Sequence, residues 1–294
     1  MSIEARDFGS TGLKVSPLGL GCGNLGRSDV SEKAAENLLQ TALDLGVTLI
    51  DTARGYGRSE ERIGKYLSKR RTEFILSTKV GYGIPGYRDW TPECVVAGVH
   101  EALRLLKTDR IDIVHFHSCP KETLQQDGMI DALLSMVEQG KISVAAYSGE
   151  NEHLEYAVGT GRFRSMQCSI NVCDQRTIDH PLPQAKERGM GVIAKRPVAN
   201  APWRFAKRPV GQYVDEYWKR WKAMNLEFGM DCQELALRFA AFTWGVDSCV
   251  LGTTNAEHLR QSSDAIQKGP LPKEIYAQIR DAFRKHDSGW TGQI

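Results

Sequence analysis

The sequence predicts an α/β chain folded as a (β/α)8 TIM barrel, with an N-terminal β-hairpin before it and C-terminal helices after it. Three observations carry that expectation. Strand and helix patterns alternate along the chain instead of falling into blocks, as a parallel sheet requires, because each parallel strand needs a crossover to return. About eight such pairs fit into 294 residues, the size of one barrel. Three successive apolar runs also end in a titratable side chain: residues 47–50 lead into Asp51, residues 74–76 into Ser77, Thr78 and Lys79, and IDIVHFH into His117. Parallel α/β folds build their sites at that carboxyl edge.

FGSTGLKVSP reads as the hairpin, with Gly12 in its turn, and LGLGCG as the first barrel strand. Ser31 is placed to cap the first helix, where Ala35, Leu38, Leu39, Ala42 and Leu43 share one face and Gly46 closes the turn. The second strand reaches Asp51, and the helix after it takes Ser59 as its cap. The third strand ends at Lys79. Thr91 then caps a helix with Pro92 at its first position and Val96, Val99, Leu103 and Leu106 as its buried stripe. IDIVHFH is followed by a helix over 131–137, the strand KISVAAYS, a helix from about 153 to 158, the strand SMQCSIN, a helix near 182–188 and the strand GMGVIAKRP. Residues 199–230 read as an irregular insertion rich in aromatic and basic residues. The helix ELALRFAAF, the strand DSCVLGT and helices from Ala256 and Lys273 complete the chain.

Composition narrows the function classes. Hydrophobic content of 41% and charge of 25% describe a globular chain, and no stretch reads as a linker, so residues 1–294 are expected to form a single domain. The net charge of +2 arises from 38 basic and 36 acidic residues with no long single-sign block, which argues against nucleic acid as a partner. MSIEARDFGS lacks the apolar core of a signal peptide and no run is long enough to span a bilayer, so a cytoplasmic protein with no membrane partner is expected. Seven scattered cysteines without a C-x-x-C pair predict free thiols and no metal site. Cys119 alone sits near His117, and even there a buried, inert thiol is the preferred reading. Nothing fixes the oligomeric state.

Taken singly, Asp51 at a strand end is a turn or cap residue, Tyr56 in Gly-Tyr-Gly a surface aromatic, and Lys79 a solvated cation. His115 and His117 share one face of their strand by the period of two, and spacing alone does not choose between them. Together they fit one chemistry. Hydride transfer to a carbonyl builds negative charge on oxygen, so a proton donor must lie within hydrogen-bonding reach. A phenol can serve, and because its ordinary pKa is about 10, a cation beside it favours proton exchange.

Set in DTARGYGRSEERIG, STKVGY and DRIDIVHFH, the residues Asp51, Tyr56, Lys79 and His117 resemble the Asp-Tyr-Lys-His tetrad of the aldo-keto reductase superfamily. The similarity runs from SPLGLGCGNLG to VLGTTNAEHLRQS, and it selects His117 over His115. It implies Tyr56 as general acid/base, Lys79 as the cation, Asp51 as its partner and His117 as the group that orients the substrate oxygen. It also implies a nicotinamide cofactor, NADP with NAD as an option. The fold offers a phosphate site at the helix after its last strand, where Gly252, Thr253 and Thr254 supply donors. The resemblance places Gly21 and Cys22, Ser148, Gln167 and Asn171, Lys195 and Arg196, and His258, Gln261 and Ser262 against the same cofactor. Departures stand out: Gly149 follows Ser148 where the family commonly has Asn, and Lys195-Arg196-Pro197 replaces the stacking aromatic. His258, Gln261 and Ser262 replace the usual Arg or Gln and the Glu-Asn pair, with Arg260 nearby.

A substrate pocket is expected from Gly23, Asn24, residues 82–90, Cys119 and the insertion aromatics Trp203, Phe205, Tyr217, Trp218 and Trp221, of which Tyr217 and Trp221 at i and i+4 read first as core. The expected function is hydride transfer between NADP(H) and a carbonyl or alcohol substrate: an aldehyde, ketone or sugar. The alternative is a nicotinamide-binding sensor with little turnover on the same barrel, as the potassium-channel beta subunits resemble.

Overall fold

The computed structural model describes residues 4–294. A two-stranded antiparallel sheet, β1 (Arg6–Asp7) with β2 (Lys14–Val15), precedes eight parallel strands. These are β3 (Leu18–Gly21), β4 (Leu49–Asp51), β5 (Ile75–Val80), β6 (Ile111–His117), β7 (Ile142–Ser148), β8 (Ser165–Ser169), β9 (Gly191–Lys195) and β10 (Ser248–Gly252). They close in that order, with β10 pairing β3, into the expected (β/α)8 barrel. The hairpin floors the barrel. Phe8 is fully buried against the inward layer of Leu49, Ile113, Val144, Ile193 and Val250, and its ring lies where a side chain at Gly191 would have to go, 2.5 Å from that position.

The capping signals hold for two helices. Ser31 accepts from the Ala34 amide at the start of Glu32–Asp44, and Thr91 accepts from Cys94 at the start of Pro92–Leu106. Of the stripe expected on the latter, Val99, Leu103 and Leu106 are buried, whereas Val96 is only half-buried because Cys94, Val95, Gly98 and Ala102 take the inner face. Ser59 is not a cap. It is the first residue of the helix Ser59–Leu67, and its hydroxyl accepts from Thr52 at 2.8 Å and donates to the Cys22 carbonyl at 3.0 Å, tying the ends of β3 and β4 together.

Residues 199–230 are also more ordered than expected. They contain a 3-10 turn, Pro202–Arg204, and a helix, Asp215–Met224, which bury Tyr217, Trp221 and Met224 with Leu235, Phe239, Ile279 and Phe283 in a second core beside the barrel. A short helix at Arg176–Asp179, unmarked by any cap or periodic stripe, precedes Leu182–Glu187. No helix among the described residues is long and apolar enough to cross a membrane.

Candidate active site

Parallel register decides which strand-end residues become neighbours. Asp51 on β4 pairs with Ser77 on β5, Lys79 with His115 on β6, His117 with Ser148 on β7, and Ser148 with Gln167 on β8. Asp51, Lys79 and His117 therefore rise from three adjacent strands on one rim. Tyr56 arrives separately, from the loop between β4 and the helix Ser59–Leu67. Its approach depends on Gly26, where a Cβ would fall 1.6 Å from the Tyr56 carbonyl oxygen, so the two backbones touch only because that position has no side chain.

The structure brings all four together. Lys79 Nζ donates to Asp51 Oδ2 and to the Thr52 carbonyl, each at 2.7 Å, and Ser77 Oγ donates to Asp51 Oδ1 at 2.7 Å. The Lys79 ammonium lies 5.2 Å from the centroid of the Tyr56 ring, and that ring meets His117 edge-on with centroids 5.7 Å apart. His117 Nδ1 and Tyr82 Oη are 2.7 Å apart.

Burial and charge set the protonation states. Burial, the largest single influence, opposes the charges on both Asp51 and Lys79, but their mutual attraction together with the neighbouring His115, Ser77 and Tyr56 outweighs it, so the carboxyl is held below its ordinary value and the ammonium above. His117 is pushed down to about 3 by burial, then by the cations of Lys79 and Lys195, and is a neutral imidazole at physiological pH. His115, one layer deeper, is lowered to about 3 by burial and then Lys79. Burial drives the Cys119 thiol up to about 12, and the side chain is fully enclosed, so it is neither nucleophile nor cavity wall.

Two cavities meet at this rim. One, of about 420 Å³, is lined by Gly21, Gly23, Asn24, the tetrad, Tyr82, Ser118, Ser148, Gln167, Lys195, Arg196 and Tyr213. The other, of about 610 Å³, shares Asn24, Arg196, Val250 and Gly252 with it and adds Asn200, Arg204, Thr253, His258 and Gln261. Thr254 faces a third, smaller hollow with Asn24 and Arg27. Cys22, Asn171 and Ser262 line neither main cavity. Cys22 and Asn171 are turned into the barrel wall, where Asn171 accepts from the Cys173 amide, and Ser262 donates to the His258 carbonyl one helical turn back. Of the insertion aromatics, Tyr217 and Trp221 are core, as their i and i+4 spacing suggested, whereas Trp203 packs on Trp221 at 5.3 Å and Trp218 donates to the Phe205 carbonyl instead of lining the pocket. Arg260 pairs with Glu257 on the outer face of its helix, and the arginines facing the cavity are Arg196 and Arg204.

These residues fit a dinucleotide. Gln167 accepts from Ser148 at 2.9 Å yet leaves its buried amide nitrogen without a partner, and the buried amide nitrogen of Asn200 is also unpaired. Each belongs to a residue lining one of the two cavities. The helix Ala256–Gln267 starts beside Thr253 with Asn255 as its cap, accepting from Glu257 at 2.8 Å, and its amino end favours an anion.

Several wall residues escaped the sequence reading. Glu150, just past the unusual Ser148-Gly149 pair, is buried, accepts from the Ser169 amide and hydroxyl, and holds Lys195 at 3.1 Å. Arg196 donates to Tyr213 and to the Gln293 carbonyl, and Asn151 exchanges two hydrogen bonds with Gly292. The C-terminal segment therefore crosses the rim, with Trp290 held between Phe283 and Arg220. Only the departure at Gly149 gave a local signal; the other contacts join residues far apart in sequence.

Residues 17–284 match the Aldo/keto reductase family. Among curated proteins, the chain is 28% identical to the uncharacterized oxidoreductase YqkF of Bacillus subtilis, over 97% of this chain and 100% of that protein. It is 33% identical to L-galactose dehydrogenase of Arabidopsis thaliana, over 67% of this chain and 66% of that one. Among solved structures, the holo form of aldo-keto reductase AKR11C1 from Bacillus halodurans superposes with a TM-score of 0.83 at 26% identity, covering 95% of this chain and 96% of the other.

Proposed function

The chain belongs to the aldo/keto reductase family, and from that premise we propose that it transfers a hydride between NADP(H) and a carbonyl or alcohol substrate, with Tyr56 as general acid/base. The observation that carries this reading is the convergence of Asp51, Tyr56, Lys79 and His117 from four separate places in the chain on one cavity.

When bound, the nicotinamide supplies or accepts the hydride. The protein's part is proton handling and orientation. In reduction, the Tyr56 hydroxyl donates the proton to the oxygen on which charge develops. Lys79, kept charged by Asp51, stabilises the phenolate left behind, and in oxidation the same cation favours the phenolate as base. Neutral His117 donates a hydrogen bond to the reacting oxygen without giving up its proton. Ser148 and Gln167 offer hydrogen bonds to the nicotinamide carboxamide, and Lys195 and Arg196 offer charge to the pyrophosphate. The cationic side chains of Arg204 and the imidazole of His258 in the second cavity support NADP over NAD.

The substrate side favours a polyhydroxylated carbonyl. Asn24, Ser118 and Tyr213 present hydrogen-bonding groups there, and a plant relative is named for a sugar. Nicotinamide absorbance, followed with NADPH and a panel of aldehydes, ketones and aldoses, tests the reading in the wild type and in Tyr56→Phe. Turnover by the wild type that falls by at least about a hundredfold in the variant is expected. Turnover that survives the substitution excludes Tyr56 as the acid, and nucleotide binding with no turnover of any carbonyl favours a sensor.

A further inference from the structure

The mechanism above asks His117 to present an N–H to the reacting oxygen, but a neutral imidazole carries only one proton, on either nitrogen. Something must choose. His117 Nδ1 lies 2.7 Å from Tyr82 Oη, and the two rings stack at 5.5 Å with 21° between their planes. The phenol is held from the other sides. Its ring packs on Trp90 at 5.6 Å, and Trp90 is anchored by its amide to the Gly81 carbonyl at 2.7 Å. A Cβ at Gly55 would fall 2.8 Å from Tyr82 Oη, so that glycine leaves the hydroxyl its place.

We propose that Tyr82 is a positioning residue for His117: its hydroxyl donates to Nδ1, fixes the imidazole as the Nε2–H tautomer, and leaves that N–H facing the cavity where the substrate oxygen reacts. The choice of donor follows from hydrogen-bond accounting. The Tyr82 hydroxyl has Nδ1 as its hydrogen-bond partner among the described residues. If Nδ1 carried the proton instead, the phenol would lose its acceptor, and Nε2 would turn a lone pair towards an oxygen gaining negative charge. Burial keeps the Tyr82 hydroxyl above the ordinary value for a phenol, so it remains a donor across the working pH range. No proton leaves Tyr82 or His117 in the cycle; the transferred proton is that of Tyr56.

The inference rests on the reductase reading, and its test separates the two. Imidazole nitrogen NMR of the full chain, with His117 assigned by its loss in His117→Gln, needs no turnover. The wild type is expected to show protonated Nε2 and bare Nδ1, and Tyr82→Phe a mixture of tautomers. The reverse pattern in the wild type, or a spectrum unchanged by Tyr82→Phe, overturns the proposal even if the protein is an active reductase. Kinetically, Tyr82→Phe should lower kcat by about 3- to 10-fold with little change in KM, the scale of one hydrogen bond. In a His117→Gln background the same substitution should change kcat by less than about twofold, because it acts through His117. An equal loss in both backgrounds refutes that route.

Discussion

Removing the buried cation is the perturbation whose size is best fixed by geometry. Lys79 and Asp51 are 2% and 3% exposed, and their charged atoms meet at 2.7 Å with further bonds to Thr52 and Ser77. In Lys79→Met the apolar stem is kept but Asp51 is left as a buried carboxylate with one hydroxyl donor, which costs about 3–5 kcal/mol. At roughly 2 °C per kcal/mol for a chain of this size, Tm falls by about 6–10 °C. Asp51→Asn added to Lys79→Met removes the stranded charge while an amide can still accept from Ser77, so the double variant should recover most of the loss. Urea unfolding of both singles and the double at pH 7.5 gives the coupling. That pH follows from the sign of the titration. Asp51 is held low by Lys79, so its contribution is complete above the unfolded carboxyl value of about 3.9 and is lost as pH falls through the lower folded value. A Lys79→Met cost under about 1 kcal/mol, or a double variant as unstable as the sum of its singles, refutes the buried pair as a coupled unit.

The remaining predictions probe other parts of the site. His115 is held near 3 when folded and takes up a proton near 6.5 when unfolded, so it lowers stability as pH falls through that window; His115→Gln should reduce the slope of unfolding free energy there by about 1.4 kcal/mol per pH unit, measured by urea titration at several pH values. Arg204→Ala should weaken NADPH binding by about tenfold and NADH binding by less than about twofold in fluorescence titrations, since a 2′-phosphate is the only group that distinguishes them. Glu150→Gln leaves Lys195 without its carboxylate and should weaken binding of either nucleotide, read by the same titration. Under iodoacetamide at pH 8, half-buried Cys232 should be alkylated before enclosed Cys119, as peptide mass spectrometry would show.

Much of this was legible in the residues themselves, for reasons that are local. A strand pattern fixes which way alternate side chains point, and a parallel barrel gathers strand ends at one rim, so Asp51, Lys79 and His117 announced a common edge before any coordinates. Caps worked where the side chain had only its own helix to satisfy, as at Ser31 and Thr91, and failed at Ser59, whose hydroxyl is claimed by Cys22 and Thr52 from other elements. In the insertion the i and i+4 spacing of Tyr217 and Trp221 pointed correctly to core, whereas Trp203 has no such period and its place against Trp221 shows only in the tertiary packing.

What the sequence determined by itself was the barrel, the order of its elements and a rim carrying Asp51, Lys79 and a histidine, because period, capping and strand-end chemistry are written within a few neighbours; Tyr56, and His117 over His115, were singled out by the family resemblance. What only the tertiary structure decided was which side chains face the cavities: Arg204 rather than Arg260, Glu150 beneath Lys195, Tyr82 against His117. Those choices turn on where loops of different strands land, and hydrogen bonds between residues tens to hundreds of positions apart leave no period for a sequence to show.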